Sequence, residues 1–123
     1  MTHSVDVPYL LHAAEAIAGD PQVDDLGPLF AAAARTHAEA MGRDVYGSDH
    51  LKAAALLHTL ARMPCLEHSN GTFAWMCGAG FLTLNGHTLT YPPKAAAALV
   101  RDAADGRIGV DRIARQLREW TTE

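Results

Sequence analysis

The apolar positions of this chain recur mostly at intervals of three and four residues, the spacing that places them on one face of an α-helix. A first segment of this kind runs from Val7 to Ala18. Asp20-Pro21 then predicts a turn, because the residue before a proline avoids helical geometry. A second helix is predicted from Leu26–Pro28 to Met41, with Gly42 favouring its end.

The middle of the chain predicts two longer helices. Arg43–Gly47 is typical of a loop, and Ser48 after it is a suitable N-cap for a helix over Asp49–Arg62. The helical spacing is interrupted around a proline and resumes over Asn70–Leu84. Asn85-Gly86 favours an end there, because both residue types tolerate left-handed backbone geometry.

The last third predicts a short extended segment followed by two helices. His87–Tyr91 alternates in polarity and carries threonines, as strands do. Pro92-Pro93 suits the start of a helix that continues to Asp105, and Asp111 is expected to cap a final amphipathic helix. The whole pattern predicts a single domain over residues 1–123: an all-α compact bundle of about six helices, with a short extended segment near 87–91.

Two glycines lie inside the predicted helix over residues 70–84. Gly78 and Gly80 each cost about 1 kcal/mol relative to alanine in a helix interior. Their presence favours a close crossing with another helix in a tight core. The alternative is that the missing side chains leave room beside a pocket.

Composition narrows the classes of function. The 123 residues are 49% apolar and 20% charged, which is ordinary for a globular protein. The formal net charge of −4 and the lack of a basic stripe argue against a nucleic-acid partner. No apolar run approaches the roughly 20 residues that cross a bilayer. Met1–Asp6 lacks the pattern of a secretory signal, and two cysteines make no disulfide framework, so we expect a cytoplasmic protein.

Several segments together resemble one bacterial family. Lys52–Arg62 is similar to the helix before the active loop of Doc-type proteins, and Phe81–Gly86 resembles the end of the helix that follows this loop. Asp24–Leu29 resembles the start of the family's second helix. Ala103–Gly106 and Val110–Leu117 look like its closing helices. This ordered set covers nearly the whole chain, which therefore resembles the Fic/Doc (death-on-curing) family.

The family signature H-P-F-x-D-G-N-K-R falls on Pro64–Thr72 when the two sequences are matched without gaps from Asn85-Gly86. In the family the histidine is the general base for the hydroxyl that is modified. Here that position is Pro64, whose side chain takes no proton. A shift by one residue would put Met63 there instead, so the base is missing in either alignment.

The other signature positions have also changed. His68 stands where the family has its aspartate, and Gly71 and Thr72 replace the lysine and arginine that hold phosphates. Asn70 remains, and Arg62 lies two residues before the lost histidine. The signature loop is therefore degenerate in its catalytic and phosphate-binding positions.

The resemblance implies both an activity and its loss. Family members transfer a nucleotidyl group, or in Doc a phosphoryl group, to a protein hydroxyl; Doc modifies elongation factor Tu and is paired with the antitoxin Phd. Each lost electrostatic contact of this kind costs on the order of 10²–10³ in rate. We therefore expect binding rather than transfer, with a Phd-like antitoxin, another protein or a small anionic ligand as partner and without a cofactor.

Two local readings of the loop stay open. The first is an anion site at the start of a helix, where free N–H groups attract negative charge, although the same residues also suit a plain helix cap. Its candidate residues are Arg62, Ser69, Asn70, Gly71 and Thr72.

The second reading is a new enzyme built on the old scaffold, for example in specialised metabolism. His68 would act as acid or base with Glu67, and Cys65 as a nucleophile. The alternative is an exposed loop histidine beside an ordinary thiol. A zinc site that adds His58 has weak spacing, so no metal is expected, and His58 is predicted to be a packed, hydrogen-bonded side chain.

Overall fold

The structure is a computed structural model that describes residues 5–122. The expectation drawn from Met1–Asp6 lies largely outside this range. Within it, six helices follow one another: α1 (Val7–Glu15), α2 (Gly27–His37), α3 (Asp49–Arg62), α4 (Asn70–Leu84), α5 (Pro93–Ala104) and α6 (Val110–Trp120). Two small antiparallel pairs accompany them: β1 (Glu39–Ala40) with β2 (Arg43–Asp44), and β3 (Thr88–Leu89) with β4 (Thr121–Thr122). The all-α prediction is confirmed.

Helix α3 lies at the centre of the bundle and contacts α2, α4, α5 and α6. Its start is set by Ser48, whose Oγ accepts a hydrogen bond from the N–H of Leu51 at 3.1 Å, as predicted for an N-cap. Nine of its 14 residues are buried, so it is covered on nearly all sides. Alanine-rich surfaces allow such a helix to be surrounded closely, because small side chains let neighbouring backbones approach.

The closest approach is between α3 and α4. A Cβ added at Gly78 would lie 3.0 Å from Leu57 Cβ and 3.3 Å from the carbonyl oxygen of Ala53. This confirms the prediction of a tight helix crossing at Gly78. Gly80 is different, because a Cβ there would meet only Tyr9 Oη at 3.7 Å, an ordinary contact distance.

The predicted extension of α2 to Met41 was wrong, and so was the assignment of residues 43–47 to a plain loop. Helix α2 ends at His37, and β1 and β2 then form a hairpin. Its turn is Met41-Gly42, with φ of 54° and 78°. Positive φ at both positions suits a two-residue hairpin turn. The buried side chain of Lys52 holds the hairpin to α3, since its Nζ lies 2.8 Å from Asp44 Oδ2.

Three other boundaries also differ. Helix α1 ends at Glu15 rather than at residue 18, and α5 ends at Ala104. Helix α6 begins at Val110 with Gly109 at its N-cap, so the predicted cap at Asp111 was wrong. The short extended segment is confirmed, because β3 pairs with β4 near the end of the described range. None of the helices in residues 5–122 is long and apolar enough to cross a membrane.

Candidate functional site

The segment between α3 and α4, residues 63–69, is held by the side chain of Asn70. Its Oδ1 accepts hydrogen bonds from the backbone N–H groups of Cys65 and Leu66 at 3.0 and 2.9 Å. Its Nδ2 donates to the carbonyl oxygen of Leu66 at 2.9 Å. Both polar atoms of this amide are therefore bonded to the backbone of the loop, so Asn70 fixes the shape of the loop.

The loop is also paired with the turn that precedes α2. Leu66 forms an antiparallel bridge with Val23. The backbone N–H of Glu67 donates to the carbonyl oxygen of Gln22 at 3.0 Å, and the N–H of Gln22 donates to Glu67 Oε1 at 2.9 Å. Glu67 is thus bonded through its backbone and through its carboxylate. These bonds occupy one carboxylate oxygen of a proposed catalytic residue.

His68 lies on the surface of this loop. Its Nδ1 is 2.8 Å from Ser69 Oγ. Its ring lies against Gly19, where an added Cβ would come within 3.1 Å of His68 Cε1. The ring is therefore positioned by a neighbouring hydroxyl and a glycine backbone.

Cys65 is buried, with 1% of its surface exposed, whereas His68 is exposed. Burial first, and then the carboxylate of Asp25, raise the pKa of the Cys65 thiol from 9.0 to about 11. A thiol with such a pKa is protonated near neutral pH and is a poor nucleophile. The structure thus places the sulfur in the core and the imidazole in solvent, and it does not bring them together as a reactive pair.

Arg62 contacts the end of α5. Its Nη1 donates to the carbonyl oxygen of Ala104 at 2.9 Å. The guanidinium also lies over Gly106, where an added Cβ would be 2.6 Å from Arg62 Nη1. A cation at a helix C-terminus meets the negative end of the helix dipole. Arg62, the last residue of α3, therefore serves as a cap for the end of another helix.

The first turn of α4 is the part of the signature that keeps free backbone groups. Ser69 precedes it in left-handed geometry, with φ of 64°, and no side chain caps the helix. Gly71 and Thr72 in this turn are exposed. Among the described residues, therefore, neither the Ser69 nor the Asn70 side chain accepts a hydrogen bond from the first N–H groups of α4.

A cavity of about 480 Å³ opens beside this turn, between α4 and α5. Of the site residues suggested by the sequence, Gly71 and Thr72 line it, whereas Cys65, Glu67 and His68 do not. The other walls come from residues that sequence reasoning did not assign to a site. They include Trp75, Tyr91, Val100 and Arg101. The positions of Pro93 and Val100 in the sequence did not indicate a cavity. These residues form one wall on α5, and the opposite wall belongs to α4.

A second cluster that sequence reasoning missed surrounds the middle of α3. Arg35 Nη1 donates to Thr59 Oγ1 at 2.9 Å and lies 3.1 Å from His58 Nδ1. Its Nε and Nη2 both donate to the hydroxyl of Tyr46, at 2.9 and 2.6 Å. Burial, followed by the charges of Arg35 and Arg62, lowers the pKa of His58. The only hint of this cluster in the sequence was Arg35 itself, a charged residue that directly follows the apolar residues of α2.

The expected packing of His58 is confirmed by its position against Arg35. No group of three or more His, Cys, Asp or Glu side chains within residues 5–122 is arranged to hold a metal ion.

No protein-family model matches the chain. The chain is 37% identical over 120 residues to a protein of Mycolicibacterium smegmatis named Toxin Doc. The matched region covers 95% of this chain and 92% of the relative. Likeness at this level and over this length is typical of proteins with one common fold.

Proposed function

The chain belongs to the Doc family, and we propose that it is a degenerate Doc-like protein that acts by binding a partner rather than by transferring a nucleotidyl or phosphoryl group. The observation that carries this proposal is the bonding of the loop. The polar groups that remain there are used to hold the loop or a neighbouring helix. Phosphoryl transfer instead needs groups that are directed at the nucleotide and at the attacking hydroxyl.

The missing chemistry supports the same proposal. Pro64 offers no general base, and Gly71 and Thr72 offer no cation to developing phosphate charge. Arg62 does not compensate, since its guanidinium bonds to the carbonyl oxygen of Ala104. Asn70 does not compensate either, because both ends of its amide bond to the loop backbone. The loop keeps a defined shape without its reactive groups.

A protein partner is the occupant that a Doc-like scaffold suggests, and a Phd-like antitoxin is the specific candidate. Leu26 and Phe30 lie one turn apart at the start of α2, with 50% and 60% of their surfaces exposed. Exposed large apolar side chains that lie next to each other are typical of surfaces that bind a protein partner. They follow directly on the turn that pairs with the signature loop, so a partner bound there would lie close to the loop.

The test of transfer uses purified full chain with elongation factor Tu and ATP labelled at the α- or γ-phosphate. A Doc toxin with an intact signature is the positive control. We expect the control to label its target and this chain to leave it unlabelled, even at high enzyme concentration and long times. Label transfer by the chain at a rate near that of the control would contradict the proposal.

The test of binding uses the short protein encoded directly upstream of this gene, if its sequence is Phd-like. We expect the two to form a complex and Phe30→Ala to weaken it roughly 30-fold, as for a buried aromatic anchor. Tyr9→Ala is the matched control, because Tyr9 is an exposed aromatic residue on α1. Equal affinity of the two variants would remove the α2 surface from the proposal.

His68→Ala separates this proposal from a repurposed enzyme. A binding protein should keep its complex and its fold, because His68 is exposed and bonded to its neighbour Ser69. An enzyme that uses the imidazole would lose its turnover. Full retention of the biological effect of the chain in this variant supports binding, and its loss supports the enzyme.

A further inference from the structure

The cavity between α4 and α5 has an aromatic wall with one free polar group. The rings of Trp75 and Tyr91 meet edge to face, with centroids 4.7 Å apart. Trp75 Nε1 donates to Tyr91 Oη at 3.3 Å, so the hydrogen of the Tyr91 hydroxyl is left to donate elsewhere. Trp120 supports both rings from 6.0 Å. Rings fixed in this way form an angled aromatic wall against which a ligand ring can pack.

One cation stands at the rim of the same cavity. Arg101 is exposed, and none of the hydrogen bonds or ion pairs among residues 5–122 involves its side chain. The adjacent Asp102 lies near Arg107 instead, at 3.9 Å. The guanidinium of Arg101 is therefore available to a carboxylate, which it can bind through two parallel hydrogen bonds.

The opposite side of the cavity adds weaker attraction for negative charge. Gly71 and Thr72 belong to the uncapped first turn of α4, where backbone N–H groups carry partial positive charge. The remaining lining is apolar and includes Val100 and Pro93. A site of this composition favours a ligand that is mostly apolar and carries one negative charge.

Charge, rather than size, disfavours a nucleoside triphosphate as the occupant of this cavity. The volume of about 480 Å³ falls in the range of small-molecule sites, roughly 300–1,000 Å³. A triphosphate would place several negative charges against a single arginine and apolar walls. A monocarboxylate on a ring system matches both the volume and the charge.

We propose that this cavity binds a small aromatic carboxylic acid, with its ring against Trp75 and Tyr91 and its carboxylate paired with Arg101. The inference does not rest on the proposed function. A ligand titration and a transfer assay measure different properties, so either can fail while the other succeeds.

The test titrates the full chain with 2-naphthylacetate and with its neutral isostere 2-naphthylacetamide. Binding is measured by calorimetry and located by the NMR signal of the Trp75 indole N–H. We expect a dissociation constant below about 1 mM for the acid, in keeping with the binding energy per atom of small ligands. The amide should bind about 10-fold more weakly, because it lacks the charge-assisted hydrogen bonds.

Variants test the two walls separately. Arg101→Gln should weaken the acid about 10- to 100-fold and leave the amide unchanged, and Arg101→Lys should restore part of the loss. Arg107→Gln is the matched control, since that exposed arginine does not line the cavity. Gly71→Leu should block both ligands. A Cβ at Gly71 meets Val100 Cγ1 at 3.6 Å, an ordinary contact, so the backbone accepts a side chain there.

The folded state of each variant is checked by its thermal melting curve. If Gly71→Leu melts at a lower temperature than the parent chain, Gly71→Ala replaces it in the test, because it adds only one methyl group to the cavity wall. The proposal is overturned if the acid does not bind at millimolar concentration, or if acid and amide bind equally. It is also overturned if ATP shifts the Trp75 signal and the acid does not.

Discussion

The side-chain amide of Asn70 is bonded in both directions to the backbone of Leu66, four residues earlier. Its Oδ1 accepts from the Leu66 N–H and its Nδ2 donates to the Leu66 carbonyl oxygen, both at 2.9 Å. A third bond joins Oδ1 to the N–H of Cys65. This one side chain supplies the hydrogen-bond partners that these backbone groups would otherwise find in water. These three bonds hold the backbone of the loop next to the start of α4.

Replacement of Asn70 should therefore lower stability. Asn70→Ala removes three hydrogen bonds that each contribute about 0.5–1.5 kcal/mol, so we expect a loss of about 2–3 kcal/mol in the free energy of unfolding. Urea denaturation followed by circular dichroism measures it. Thr72→Ala, an exposed substitution in the same helical turn, should stay within about 0.5 kcal/mol. A loss below about 1 kcal/mol for Asn70→Ala would show that water replaces the amide.

The contact of Arg62 with Gly106 predicts an energetic coupling. Gly106 has φ of 77°, and a Cβ there would press on Arg62 Nη1. We expect Gly106→Ala to cost about 1–2 kcal/mol, from left-handed strain and from displacement of the guanidinium. In an Arg62→Ala background the strain alone should remain, so the added cost should shrink.

Gly47→Ala is the matched control for this cycle. A Cβ at Gly47 meets nothing within 4 Å, and its φ is not in the left-handed region. Its effect should stay within about 0.5 kcal/mol in both backgrounds. If the costs of the Gly106 and Arg62 substitutions simply add, the proposed contact carries no coupling.

The buried thiol of Cys65 predicts a stability change at high pH. Its pKa is raised in the folded state, from 9.0 to about 11, so the folded protein holds this proton more tightly than the unfolded chain. The sign follows: stability is unaffected below pH 9 and falls as pH rises from 9 to 11. The loss from this group should be about 2–3 kcal/mol over that window.

Other groups also titrate between pH 9 and pH 11, so the stability of the parent chain is compared with that of a variant without the thiol. Urea unfolding of the parent chain and of Cys65→Ala is followed from pH 8 to pH 11, a range that includes the window from 9 to 11. The variant should show a shallower decline in this window. Parallel curves would contradict the raised pKa. At neutral pH, alkylation of Cys65 by iodoacetamide should require unfolding.

His58 predicts a loss of stability at acidic pH. Burial and the charges of Arg35 and Arg62 lower its pKa below 6.5, so the unfolded chain takes up a proton before the folded protein does. Stability from this group is present above pH 6.5 and falls as pH decreases below that value. An NMR titration should place the His58 midpoint below 6.5.

Arg35→Gln tests the cause of that shift. Removing the guanidinium next to His58 should raise the His58 midpoint toward 6.5, although only in part, because burial is the larger cause. An unchanged His58 midpoint would assign the whole shift to burial.

The sequence alone predicted the helices whose ends depend on local contacts. Ser48 caps α3, Pro93 begins α5, and α4 runs over Asn70–Leu84 as expected. Such ends are set by residues within four positions of each other, which is why they are visible in a single sequence. The identity of the residue at position 64, a proline, is likewise a fact of the sequence.

The hairpin after α2 shows where local reasoning failed. The apolar spacing through Met41 favoured a longer helix, yet the chain turns back at Met41-Gly42 and is tied to α3 through Lys52. The bond between Lys52 and Asp44 joins two different elements, so the spacing of apolar residues within one helix does not predict it. Helix propensity is a weak preference, and a buried charge that needs a partner outweighs it.

The sequence determined the helical order of this protein and its likeness to the Doc family, because both follow from residue identity and near-neighbour spacing. Only the tertiary structure decided what the remaining residues do. It assigned Asn70 to the loop backbone, Arg62 to the end of α5 and Cys65 to the core. It also placed Trp75 and Arg101 on two walls of one cavity. These roles depend on contacts between separate helices, and packing in three dimensions sets them.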